Sequence, residues 1–134
     1  MQGECLCKSI QYHCNQPPVY QLKCHCRDCQ KVSGGPYAPI ALFPVEAVKI
    51  EGEVKYFESY GESGKRIWRG FCPQCGSQLF GKLERFPNLI GIRAGTLDEP
   101  NEFDPKVNIY ASHAPSWDSV DTTLLTFPLG APQT

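Results

Sequence analysis

"FCPQCGSQLF", residues 71–80, sets two cysteines around a Pro-Gln pair and places a glycine directly after the second. Pro73 pre-sets a turn, and Gly76 can take the positive φ that follows a metal knuckle, so Cys72 and Cys75 can present two thiolates to one ion. This is half of a four-thiolate zinc site. Segments with strand character lie on both sides of it, "RIWRGF" from Arg66 and "SQLFGKL" from Ser77. The missing sulfurs must come from the six other cysteines: Cys5, Cys7, Cys14, Cys24, Cys26 and Cys29.

Working outward, the chain has 134 residues, the length of one ordinary domain, and residues 1–134 are read as such. A net charge of -1 and a pI near 6.3 give no broad attraction to nucleic acid or to an anionic membrane. The expected partners are small molecules or proteins. The start, "MQGECLCKSI", has no basic region followed by an apolar run of signal-peptide length, and no stretch approaches the roughly 20 apolar residues of a membrane span. The expectation is a cytoplasmic protein. Thiols there are kept reduced, so metal is the leading explanation for eight cysteines. The alternative, a disulfide scaffold, fits poorly with the one-residue gaps in Cys5-Leu6-Cys7 and Cys24-His25-Cys26.

Twelve glycines and twelve prolines break the chain into short pieces, which favours strands over helices. Further strand-like segments are "SIQYHC" from Ser9, "APIALF" from Ala38, "EVKYFES" from Glu53, "NLIGIRA" from Asn88 and "KVNIYAS" from Lys106. Only "RDCQKVSG", residues 27–34, reads as a short helix, stopped by Gly34 and Gly35. "GESGK" at Gly61 lacks the spacing of a phosphate loop and reads as a hairpin turn. The fold class expected is mainly β, of short antiparallel sheets stapled by metal.

Two partitions of the cysteines are open on spacing alone. In one, Cys5 and Cys7 join Cys72 and Cys75, and Cys24, Cys26 and Cys29 hold a second ion. In the other, Cys26 and Cys29 join Cys72 and Cys75 as a zinc ribbon, leaving Cys5, Cys7 and Cys24 over. The first gives one closed site and one open site, and the second a purely structural metal. Cys14 alternates with Ile10 and Tyr12 and reads as a small buried apolar residue.

The ordered motifs "GECLCKSIQY" at Gly3, "CHCRDCQKVSG" at Cys24, "FCPQCGSQLF" at Phe71, "AGTLDEP" at Ala94 and "APSWDS" at Ala114 resemble the glutathione-dependent formaldehyde-activating enzyme family, which includes centromere protein V. The resemblance covers nearly the whole chain and matches seven cysteines in type and spacing. It implies the β-tent fold and the first partition. Cys5, Cys7, Cys72 and Cys75 would then hold a structural zinc, and Cys24, Cys26 and Cys29 a functional one, two ions per chain. Two departures stand out: Lys8, where a glycine usually follows the first cysteine pair, and Asn108, where a histidine is expected. The reaction implied condenses glutathione, or a related thiol, with formaldehyde or another small aldehyde, and its reverse makes the class a carbon-sulfur lyase. The competing function is a zinc-stapled binding module without turnover.

A zinc ion with three protein thiolates keeps a fourth position, where a substrate's sulfur is favoured as the thiolate. In an extended segment His25 would point away from the face shared by Cys24 and Cys26, leaving it exposed or locally hydrogen-bonded rather than a ligand. His13 and His113 read as surface or core histidines. Glutathione's carboxylates call for cations or backbone donors, with Lys23, Arg27, Lys31, Lys65, Arg66 and Arg69 as candidates against a reading as solvated surface charge. Trp68 and Trp117 read as core anchors, although the family resemblance puts Trp117 in a stretch at the cleft rim.

Overall fold

The computed structural model describes residues 1–131. Its strands, in chain order, are β1 (Gln2–Glu4), β2 (Gln11–Cys14), β3 (Tyr20–Cys24), β4 (Ala38–Pro44), β5 (Val48–Glu51), β6 (Lys55–Tyr60), β7 (Arg66–Phe71), β8 (Gln78–Leu83), β9 (Leu89–Arg93), β10 (Val107–Ile109) and β11 (Leu125–Thr126). A single α-helix among the described residues, α1 (Arg27–Ser33), follows β3. No helix among the described residues is long and apolar enough to cross a membrane.

Two sheets form. A small one runs β1-β2-β5, and a large one runs β11-β10-β3-β4-β9-β8-β7-β6. Pairing is antiparallel except at β10, which lies parallel to both β3 and β11. The antiparallel expectation therefore fails at one edge, because the chain reaches β10 from β9 across a long connection rather than a hairpin. The seven expected strands are present, and β1, β3, β5 and β11 are additional.

The main core is the seam between the sheets. Cys5, Ile10, Tyr12 and Cys14 from the small-sheet side pack on Ala41, Phe43, Leu79, Phe80, Ile90 and Ile92 from the large one. Tyr12 meets Phe80 edge to face with ring centroids 5.5 Å apart, and its hydroxyl pairs with Thr96 Oγ1 at 2.7 Å. A Cβ at Gly3 would collide with that hydroxyl and with the Thr96 carbonyl, so only glycine lets β1 pass. A second cluster joins Leu22, Cys24, Cys29, Ala38 and Val107, with Ile40 and Tyr110 packed against it. The opposite faces of the large sheet thus serve two cores, each carrying cysteines.

Candidate metal centres

All eight cysteines are free, and seven gather into two groups. Cys5, Cys7, Cys72 and Cys75 have sulfurs all within 4.8 Å of one another, and so, separately, do Cys24, Cys26 and Cys29. The zinc-ribbon partition is not assembled. Cys14, on β2, is buried apart from both groups, as its alternation with Ile10 and Tyr12 suggests.

The four-sulfur group is built from two turns separated by more than sixty residues of chain. In the first, Lys8 N–H donates to the Cys5 carbonyl at 3.0 Å, and Lys8 itself adopts φ 68°. In the second, Gly76 N–H donates to the Cys72 carbonyl at 2.8 Å with φ 78° at Gly76. The first turn closes over three residues and the second over four, but in both the residue after the second cysteine is left-handed, a lysine in one and a glycine in the other. Cys7 Sγ lies 3.6 Å from Cys5 Sγ and 3.7 Å from Cys72 Sγ. Four sulfurs around a tetrahedral zinc at the usual Zn–S length stand about 3.8 Å apart, so the spacing fits such an ion. Backbone donors support the set: Ile10 N–H points at Cys5 Sγ (3.3 Å) and Gln74 N–H at Cys72 Sγ (3.4 Å). Ser9 Oγ approaches Cys7 and Cys72 at 3.1 and 3.2 Å, and Ser77 Oγ lies 3.2 Å from Cys75 Sγ. The Ser77 hydroxyl and its backbone N–H pull the Cys75 thiol down to about 5.

The three-sulfur group is local. Cys24 ends β3, Cys26 caps α1 and Cys29 lies within its first turn. Cys26 Sγ accepts from Cys29 N–H at 3.3 Å, an N-cap made by sulfur. Hydrogen bonds from Cys24 and Cys29 hold the Cys26 thiol down to about 2, and the same crowding pushes Cys24 far up. Three sulfurs this close titrate as a unit, and the charge belongs to the group rather than to any one residue. The donor set is soft and anionic, the chemistry that selects zinc over hard cations. Three protein sulfurs leave one tetrahedral position for another ligand.

His25 lies outside this group, as its extended backbone suggests, but it is buried rather than exposed. Its Nδ1 is 3.3 Å from the Ile109 carbonyl, and its ring packs on Tyr37 at 5.2 Å. Beneath it, Gln30 Nε2 donates to the carbonyls of His25 (2.8 Å) and His113 (2.9 Å), tying the helix to the turn after β10. Asn108 is wholly buried and donates to the Asp121 carbonyl (2.8 Å) and Thr126 Oγ1 (3.1 Å), so it anchors β11. Trp117 is 73% exposed, which corrects its reading as a core anchor. Trp68 is half-buried and donates to Glu58 Oε1 at 2.9 Å. His13 is exposed, and "GESGK" forms the β6–β7 turn, with Gly61 N–H donating to the Lys65 carbonyl at 2.9 Å.

Of the six candidate cations, Arg69 alone is buried. Arg66 pairs with Glu58, Lys23 Nζ sits 5.0 Å above the Tyr37 ring, and Arg27 bonds Gln30 Oε1. Two residues near the three cysteines were not singled out from the sequence. Tyr110, at φ 54°, packs against their core, and the hydroxyl is raised by burial and by the charges of Glu62, Cys24 and Cys26. Arg93, at the end of β9, feels the charges of Cys29, Cys24 and Cys26.

A family model described as glutathione-dependent formaldehyde-activating enzyme matches residues 1–113. The chain belongs to this family. A Halomonas elongata protein named "Putative glutathione-dependent formaldehyde-activating enzyme" is 25% identical over 134 aligned residues, covering 91% of this chain and 82% of its own length. A Penicillium rubens protein of the same name is 24% identical over 109 residues, covering 79% of this chain and 56% of its own. The fold matches a crystal structure of a Rhodobacter sphaeroides protein with a TM-score of 0.59 at 16% identity, over 76% of this chain and 94% of that one. Within this family member, the two cysteine groups are the features that could hold metal among the described residues.

Proposed function

We propose that this family member is a single-domain, cytoplasmic β-tent protein with two zinc ions, acting as a carbon-sulfur lyase. Cys5, Cys7, Cys72 and Cys75 hold a structural zinc, and Cys24, Cys26 and Cys29 a functional one. The substrates are glutathione, or a related thiol, and formaldehyde or another small aldehyde. The carrying observation is the second group: three convergent sulfurs, separate from the four that close the other set. When bound there, zinc supplies a fourth position at which a sulfur is stabilised as the thiolate.

The protein's own residues supply shape and order. The N-cap fixes Cys26, the buried Leu22–Ala38–Val107 cluster fixes Cys24 and Cys29, and Gln30 locks the helix against the turn carrying His113. In the condensation a C–S bond forms between the thiol sulfur and the aldehyde carbon, the C=O π bond breaks, and the thiol's proton ends on the new hydroxyl.

Exchange NMR with carbon-13 formaldehyde and glutathione tests the reading. Zinc-loaded protein is expected to accelerate adduct exchange above the spontaneous rate, and Cys26→Ser to abolish that acceleration while circular dichroism stays unchanged. No acceleration by the fully loaded protein would leave the non-catalytic binding module as the better reading.

A further inference from the structure

Arg69 and Arg93 lie on the same face of the large sheet as the three cysteines. Arg93 stands opposite Ile40 in the β4–β9 register, and Ile40 packs on the cluster containing Cys24 and Cys29. Its guanidinium extends over β8: a Cβ at Gly81 would lie 3.4 Å from both Arg93 Nη atoms. Gly81 in turn stands directly opposite Arg69 on β7. Directly opposed residues share a face, so Arg69 and Arg93 project from the same face with only a glycine on the strand between them. Burial, and with it the charge of Arg69, lowers the Arg93 guanidinium from its ordinary value without depriving it of its proton.

Neither arginine has a carboxylate. The ion pairs among the described residues are Met1 with Glu102, Arg66 with Glu58, and Lys106 with Asp104. Arg69 is only 7% exposed, spends Nη1 on Ser59 Oγ at 2.6 Å and leaves Nε buried without a partner. The cysteine sulfurs offset part of the Arg93 charge, but Arg69, buried beside a second cation with an orphaned donor and no carboxylate partner, is unfavourable unless an anion joins it. Planar guanidinium forks match a carboxylate in geometry as well as charge.

We propose that Arg69 and Arg93 form the carboxylate-binding subsite of this site, holding the thiol substrate by a carboxylate while its sulfur reaches Cys24, Cys26 and Cys29. The proposal rests on the lyase reading for the identity of the thiol. The subsite makes the preferred thiols carboxylate-bearing ones.

Calorimetry on the zinc-loaded chain, with cobalt spectra of the cobalt-substituted chain, tests it. S-methylglutathione keeps the carboxylates and cannot form a thiolate, glutathione dimethyl ester keeps the sulfur and masks the carboxylates, and 2-mercaptoethanol has the sulfur alone. Arg93→Gln and Arg69→Gln are each expected to weaken S-methylglutathione binding at least tenfold. Metal content and the cobalt response to 2-mercaptoethanol should stay as in wild type. The dimethyl ester should bind wild type at least tenfold more weakly than glutathione, a comparison that does not depend on any variant folding. Equal binding of ester and glutathione would overturn the subsite, and so would loss of metal in both variants, which would make the arginines counter-charges for the sulfurs. A cobalt spectrum indifferent to every thiol, with arginine-dependent S-methylglutathione binding intact, would instead sink the lyase reading and leave the subsite standing.

Discussion

The two cysteine groups use the same ligand chemistry on opposite kinds of scaffold. The four-sulfur group draws its pairs from the N-terminal turn beside the small sheet and from the turn between β7 and β8 of the large one, so a metal there ties the two sheets together. The three-sulfur group spans one strand end and one helical turn, six residues in all, and ties the chain only to itself. Closing a long loop restricts the unfolded chain far more than closing a short one, and structural zinc contributes its binding free energy directly to folding. With zinc in both groups, as proposed, that difference would give one group the role of holding the fold and leave the other free for chemistry.

The sharpest way to break this contrast is to remove one sulfur from each. Cys72→Ser is expected to abolish cooperative folding, because binding of a structural zinc at about 10–16 kcal/mol is as large as the whole stability of a domain. Cys26→Ser should move the melting temperature by only a few degrees, about what a loss near 1 kcal/mol gives. Thermal melts of the two variants decide it, and equal unfolding would end the division of roles.

Metal removal gives a smaller, graded effect. A mild chelator should strip one zinc per chain while far-ultraviolet circular dichroism persists, and the second zinc should leave only as the fold is lost. Metal analysis along the titration checks the order, and simultaneous loss of both ions would contradict it.

Asn108 tests whether the edge around the three cysteines owes its order to protein contacts. Asn108→Ala removes both donors that hold the segment of Asp121 and Thr126, and should lower stability by about 1–3 kcal/mol in urea unfolding while zinc content is retained. The smallest expected effect sharpens the likeness between the two turns of the four-sulfur group. Lys8→Gly relieves a left-handed non-glycine residue and should stabilise the protein by roughly 1 kcal/mol, while Gly76→Ala should destabilise it by a similar amount. Opposite signs in chemical denaturation are the expected result.

Much of this was legible along the chain. The Cys-Pro-Gln-Cys-Gly turn, the short helix ended by Gly34 and the hairpin at Gly61 depend on residues a few positions apart, so local sequence carries them. The strands that escaped notice are of two kinds. β1, β5 and β11 have two to four residues, too few for an alternation to register. β3, with polar Gln21 and Lys23 around Leu22, is recruited into the middle of the sheet by its neighbours β4 and β10.

By itself the sequence determined a mainly β chain whose seven clustered cysteines, through their order and spacing, carry the resemblance to its family. Only the tertiary structure decided which sulfurs meet, that His25 turns inward, and that Arg93 crosses Gly81 toward Arg69. The reason is physical: spacing constrains neighbours within a turn, whereas contacts across sheets follow from strand order and register, which no local pattern encodes.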